Sequence, residues 1–298
     1  MYYKQDISFM EFKPQLFSQR LRKHTHFIPK PSGTCGRFKG SPSSVRVRSH
    51  LYDRPGSKGS PPTGTELKTA DYSNLASLTN ALRGQDALIE AFNPTAAVAQ
   101  RVIVQATLAA DVAHLVTPDF SCDTFNPHIG ELKVFEPKIQ AQKELERLVA
   151  ESDEKLTWTA VIIGPWLSEV QHEQIRIDHA TVAVLKDPAR FRNRPAYFAS
   201  HTLSTNHLIA VMNELGLEGW KVVDILIEHY LTEATELWHQ DTEKGVTLRM
   251  RTLAYTMLST VSIVDENNRY GADFSNKAEL GWDEGEEALK ANLKKLLA

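Results

Sequence analysis

Three kinds of residue in this chain could do chemistry together: glycines spaced to cradle a phosphate, basic residues able to hold one, and a lysine at the start of a helix. The glycines are Gly33, Gly36 and Gly40 in PSGTCGRFKG, a G-x-x-G-x-x-x-G pattern. A phosphate cradle needs a strand before it and a helix N-terminus behind it. Here the preceding THFIPKP is short and broken by proline, and the following SPSSVRVRSHL alternates with period two. Neither suits a central strand or a packed helix. The segment is therefore not read as a working phosphate loop. Residues 1 to about 50 are not expected to supply the first strand and helix of a sheet.

Arg54 and Lys58 lie in DRPGSKG. A guanidinium holds phosphate through two parallel hydrogen bonds, whereas Asp53 beside it favours a hydroxyl partner. The same residues also make an ordinary exposed turn. Lys138 follows Pro137, a residue suited to the first helical position, so its ammonium lies near the positive end of a helix dipole. In that field the ammonium gives up its proton more readily, which suits a general base or a proton donor, although Glu136 can offset it. The pairs His172 with His179 and His201 with His207 have no HExxH or CxxC context. No metal site is expected from them. No Gly-x-Ser-x-Gly occurs, which removes an α/β-hydrolase nucleophile elbow.

These groups need a scaffold, and 298 residues suffice for one large domain or two packed lobes. No apolar run approaches the ~18 to 20 residues of a spanning helix. Cys35 and Cys122 cannot build a disulfide framework, which points to a reducing, cytoplasmic setting. Charge is divided unevenly. Residues 1–64 hold twelve Lys and Arg against three Asp and Glu, and the remainder is acidic enough to bring the net charge to -3. The basic stretch suits a poorly ordered solvated leader, an organelle presequence or a nucleic-acid arm. It has no aromatic-interleaved basic motif, and Asp6 and Glu11 sit badly in a presequence.

From residue 65 on, short β-type runs alternate with helical ones. ELKTADYS reads as a strand; NLASLTNALRG as a helix with Leu75, Leu78 and Leu82 on one face and Gly84 as its stop; DALIEAF as a strand. A long helix over PTAAVAQRVIVQATLAADV, a strand over AHLVTP, a helix over PKIQAQKELERLVAES and a strand over LTWTAVII follow. Such alternation predicts an α/β, Rossmann-like parallel sheet with helices on both faces. Ligands then bind beyond the strands' carboxyl ends, at Asp71 and Tyr72, Asn93 and Pro94, Thr117 to Asp123, and Gly164 to Trp166. After Trp166 the pattern predicts helices near 178–186, 205–215 and 246–258, a strand near PAYFAS and a terminal helix, which suit a smaller C-terminal α/β lobe.

Taken in order, RPGSKG (54–59), ADYSNLASLTNALRGQDALIEAF (70–92), HLVTPDFSCDTFNP (114–127), VFEPK (134–138), TAVIIGPW (159–166), FASHTLSTNHL (198–208) and NRYGADF (268–274) resemble the isoflavone-reductase-like branch of the NmrA-like family. These are atypical short-chain dehydrogenase/reductases, and the likeness runs from about residue 51 to the end.

The resemblance implies an NADP(H)-binding reductase acting on a small aromatic or phenolic substrate. Lys138 takes the place of the catalytic lysine, and the chain has none of the Tyr-x-x-x-Lys pairs of ordinary short-chain dehydrogenases. Arg54 and Lys58 would meet the adenosine 2′-phosphate, Asp71 and Tyr72 the adenine, and Asn93 and Pro94 would pass beneath the cofactor. Thr117 to Phe120, Thr-Pro-Asp-Phe, replaces the family's Pro-Ser-Glu-Phe, and Gly164, Pro165 and Trp166 would face substrate. Asp123 is read as a loop brace.

Two departures count against full activity: the altered glycine stretch, and the short LSEVQHEQIRI where relatives carry more pocket wall. They favour the alternative of a non-catalytic dinucleotide sensor or regulator, or a degenerate relative with impaired cofactor binding. The expected organisation is an atypical, poorly ordered basic segment at 1–50, a dinucleotide-binding domain at 51–166 and a substrate lobe at 167–298. The expected partner is a small molecule, with neither nucleic acid nor membrane, and a homodimer is left open.

Overall fold

The computed structural model describes residues 7–10, 25–29, 50–53, 66–90, 99–153, 155–164, 171–217, 222–264, 267–273 and 275–297. Nine strands and eight α-helices lie among them: β1 (Ile7–Met10), β2 (Thr25–Pro29), β3 (His50–Asp53), β4 (Glu66–Thr69), α1 (Leu75–Leu82), β5 (Gln85–Ile89), α2 (Gln100–Ala109), β6 (His114–Thr117), α3 (Glu136–Glu151), β7 (Thr157–Ile162), α4 (Gln171–Lys186), β8 (Arg194–Tyr197), α5 (Thr205–Glu214), β9 (Val222–Ile225), α6 (Ile227–Glu243), α7 (Leu253–Val261) and α8 (Gly285–Leu297). Among them, no helix is long and apolar enough to cross a membrane.

Seven strands form one sheet in the order β4-β3-β2-β5-β6-β7-β8. β5 to β8 run parallel, as do β3 and β4. β2 is antiparallel to both its neighbours, so the six other strands share one direction. β5 to β8 are the parallel, helix-covered sheet expected. One expectation is corrected: THFIPKP does supply a central strand, antiparallel to its neighbours. Its proline is tolerated because Pro29 ends the strand at a register shift, where no further ladder bond is asked of it. Pro29 pairs with Gln85, at the amino end of β5, so β2 delivers the chain to the edge opposite the strands' carboxyl ends. The Gly33–Gly40 stretch itself lies outside the described residues, as does most of the 1–50 segment. β1 pairs antiparallel with β9 in a separate two-stranded sheet.

α1 forms where expected. Asn74 caps it by accepting the Ser77 N–H at 3.0 Å, and Gly84, at φ +78°, turns the chain into β5. Leu78 and Leu82 are buried, but Leu75 is 43% exposed because the first turn projects past the core. α1, α2 and α3 cover one face of the sheet through Leu78, Ile103, Val104 and Leu145 against Leu115 and Trp158, while the α4 residues Ala180 and Val184 cover the other with Val116, Val161 and Phe198. β8 is an edge strand of this sheet. Past residue 65, one strand and one α-helix escaped the sequence reading: β9 and the 17-residue α6. The helix expected at 246–258 is a 3₁₀ turn at Arg249–Arg251 followed by α7.

His114 is the polar exception inside β6, 3% exposed. Its Nδ1 lies 2.8 Å from the Thr157 hydroxyl and its Nε2 3.1 Å from that of Thr159. Burial lowers its pKa to about 4, below the unfolded value, so the unfolded chain binds this proton first. The stability it confers is full above about pH 6.5 and is lost as pH falls toward 4, by up to about 3 kcal/mol. In thermal unfolding, the stability gap between wild type and His114→Gln should therefore narrow as pH is lowered from 7 to 4.5. A gap that does not change with pH would show that the imidazole is not held neutral.

Candidate functional site

The shared direction of the other six strands gathers their carboxyl ends on one edge. β6 enters it with all four residues buried, and the following loop folds back over β7. The Phe120 N–H donates to the Val161 carbonyl at 2.9 Å, and the Ile163 and Gly164 N–H groups both donate to the Ser121 carbonyl. Phe120 adopts φ +37°, a left-handed conformation that costs a bulky residue about 1 to 3 kcal/mol unless its surroundings impose it. Those ladder bonds impose it.

Asp119, buried in this loop, accepts from the Thr117 hydroxyl at 2.5 Å and from the Thr124 hydroxyl at 2.6 Å. Both carboxylate oxygens are thus engaged in fixing the loop. Lys138, in the first turn of α3, donates through Nζ to the Asp119 carbonyl at 2.7 Å and to the Ser121 hydroxyl at 3.1 Å. An ammonium has three donors, and these contacts use two. The amine is turned inward onto the ends of β6 and β7, partly buried, with one N–H uncommitted among the described residues. Cys122 lies near it; burial pushes the thiol pKa up, and the Lys138 charge opposes that rise.

Asp123 is fully buried and works as the brace its position suggested. Its Oδ1 accepts from the Tyr197 hydroxyl at 3.0 Å and from the Phe125 N–H at 3.1 Å, and its Oδ2 meets Lys277 Nζ at 3.1 Å. Burial and the Asp123 charge keep the Tyr197 phenol protonated far above its ordinary range. Gly271 closes the far side with φ +78°. A Cβ there would lie 2.9 Å from Asn126 Nδ2 and 3.1 Å from Asp123 Oδ2, which explains the glycine of NRYGADF.

The other sequence candidates divide. Thr117, Phe120, Lys138 and Gly164 come together at the ends of β6 and β7. Asp71 and Tyr72 follow β4 on the same edge, four strand spacings from β6, or about 19 Å. The Asp71 carboxylate accepts the Ser73 N–H and hydroxyl, which hold its pKa low while they shape the turn into α1. Arg54, Lys58, Asn93, Pro94, Pro165 and Trp166 lie outside the described residues. His201 and His207 approach different carboxylates, Glu284 and Glu286.

Sequence reasoning passed over Glu90, the residue after β5. It is fully buried, with its N–H on the Val116 carbonyl and its carboxyl bonded by Gln100 Nε2 at 3.0 Å. The available signal was an acidic residue inside the apolar run DALIEAF.

Comparison with solved structures identifies the scaffold. Triphenylmethane reductase of Citrobacter sp., complexed with NADP(H), superposes with a TM-score of 0.50 at 16% identity, over 78% of this chain and 84% of that one. The two chains share a fold. An isoflavone reductase covers 71% of this chain at a TM-score of 0.48 and 14% identity. In sequence, the oxidoreductase aprR of Aspergillus flavus is 25% identical over 214 residues, 63% of this chain and 71% of its own length. No family model matches the chain.

Proposed function

We propose that the chain is an NADPH-dependent reductase of the isoflavone-reductase-like type, acting on a small aromatic or phenolic substrate. The observation that carries this reading is the inward Lys138, whose Nζ is held by the Asp119 carbonyl and the Ser121 hydroxyl in the loop after β6. NADPH, when bound, supplies the hydride. Lys138 Nζ holds the proton that the reduced substrate oxygen or carbon requires, and the Asp119 carbonyl and Ser121 hydroxyl fix the amine in place.

In this reading residues 51–166 hold the dinucleotide and 167–298 the substrate. Asp71 and Tyr72 flank the adenine, Arg54 and Lys58 take the 2′-phosphate, and Asn93 and Pro94 lie under the cofactor. Thr117 and Phe120 shape the nicotinamide end, while Gly164, Pro165 and Trp166 face the substrate. A cytoplasmic address and action as a homodimer belong to the same proposal.

A second reading, a non-catalytic dinucleotide sensor, is favoured by the direction of β2, which sends the chain away from the edge where a phosphate cradle is needed. NADPH consumption measured against a panel of quinones and aromatic carbonyl compounds separates the two. Turnover of any acceptor above the protein-free rate supports the reductase, and saturable NADPH binding with no turnover across the panel supports the sensor.

A further inference from the structure

Glu90 and Gln100 are 0% and 3% exposed, and they meet where the carboxyl end of β5 touches the first residue of α2. One bond joins them, from Gln100 Nε2 to Glu90 Oε2 at 3.0 Å. Each side chain carries one further oxygen, Glu90 Oε1 and Gln100 Oε1, and neither has a hydrogen-bond partner among the described residues. Two orphaned acceptors on side chains that already share a bond are costly unless a proton lies between them.

We propose that Glu90 is held as the neutral acid and donates its Oε1 proton to Gln100 Oε1. The two side chains then form a closed acid–amide pair that latches the start of α2 to the end of β5. Both orphaned oxygens are satisfied at once, with no charge placed in the core.

The surroundings agree. Among the described residues, the charged group that bears on Glu90 is the Asp119 carboxylate, from the loop after β6, which disfavours a second negative charge. From β6 itself Glu90 faces the Val116 carbonyl, and from α2 the neutral Gln100. Lys138 lies beyond Asp119 and is bonded to the Asp119 carbonyl. Burial first, and Asp119 in addition, push the Glu90 pKa up to about 8 against the opposing Gln100 bond. The folded state thus holds a proton that the unfolded chain releases near pH 4.5. The stability this gives is full below about pH 4.5 and is lost as pH rises through 8.

Glu90→Gln tests the latch, because a glutamine can close the same two-bond ring with Gln100 and has no proton to lose. Between pH 7 and 9.5 the wild-type unfolding constant should rise about 10-fold more than that of Glu90→Gln, with a melting temperature lower by about 3 to 6 °C. Parallel pH profiles for the two proteins would overturn the proposal. Should Glu90→Gln not fold, the wild type still answers by carbon-13 NMR of carboxyl-labelled glutamate. The latch requires a protonated glutamate signal that persists at pH 7 and titrates near 8, and a full set of glutamates ionised by pH 6 would refute it.

Discussion

Lys138→Ala is expected to lower kcat for NADPH-dependent reduction by about 10²- to 10⁴-fold while leaving NADPH affinity within about twofold, because a proton-transfer group acts on the transition state rather than on cofactor binding. The geometry makes the amine more than a surface cation. It is aimed at the loop that closes β6, and its two bonds go to the Asp119 carbonyl and the Ser121 hydroxyl. Both acceptors are fixed independently, Asp119 by two threonine hydroxyls and Ser121 by two N–H groups from the end of β7. The alanine variant should therefore keep its fold. Lys138→Arg should not recover activity, since a guanidinium stays charged and cannot exchange the proton near neutral pH. Steady-state kinetics with binding measured separately decide the matter. An alanine variant with wild-type kcat would remove Lys138 from the chemistry.

The largest stability effect is expected at Asp123. Asp123→Ala should cost about 2 to 4 kcal/mol, because it leaves the Tyr197 hydroxyl and the Phe125 N–H without their acceptor in a buried site. Lys277 adds less to the loss, since its own side chain is 47% exposed and water can take over. Asp123→Asn keeps an acceptor at Oδ1 and should recover at least half of the loss. Thermal unfolding should show a drop of about 5 to 12 °C for the alanine variant. A drop under about 1 °C would mean that the brace between the β6 loop, β8 and the segment carrying Lys277 is not one.

What could be read from the sequence depended on the range of the interaction responsible. α1 was legible because its stop signals are local: Asn74 before it and Gly84 after it each act within a few residues. β5, β6 and β7 were legible as short apolar runs between helices. The direction of β2 was not, since the period of a strand is the same whichever way it runs, and only its pairing with β3 and β5 decides. α6 carried its signal openly. Ile227, Tyr230, Leu231, Ala234, Leu237 and Trp238 form an apolar stripe at helical spacing that packs with α7.

The site divides in the same way. Lys138 was found through Pro137 and the family likeness, but its partners, 17 and 19 residues earlier, come from the tertiary fold. Glu90 was missed because its meaning depends on Gln100, ten residues on and in the next element. In the sequence alone it is an acidic residue beside a strand end.

Cofactor binding is the premise on which the reductase reading stands, and a fluorescence titration of the purified protein with NADPH and with NADH tests it most directly. The chain retains Arg54 and Lys58, and β2 delivers it to the edge away from the strands' carboxyl ends, so a full backbone cradle for the pyrophosphate is not expected. With backbone contacts to phosphate worth about 1.5 to 3 kcal/mol each, a cradle lacking two of them should hold NADPH affinity in the micromolar range. NADPH should saturate there, and NADH should bind at least about tenfold more weakly. NADH binding as tight as NADPH would contradict the role given to Arg54, submicromolar NADPH affinity would contradict the expectation that the cradle is incomplete, and failure to bind either nucleotide at millimolar concentration would contradict the reductase account.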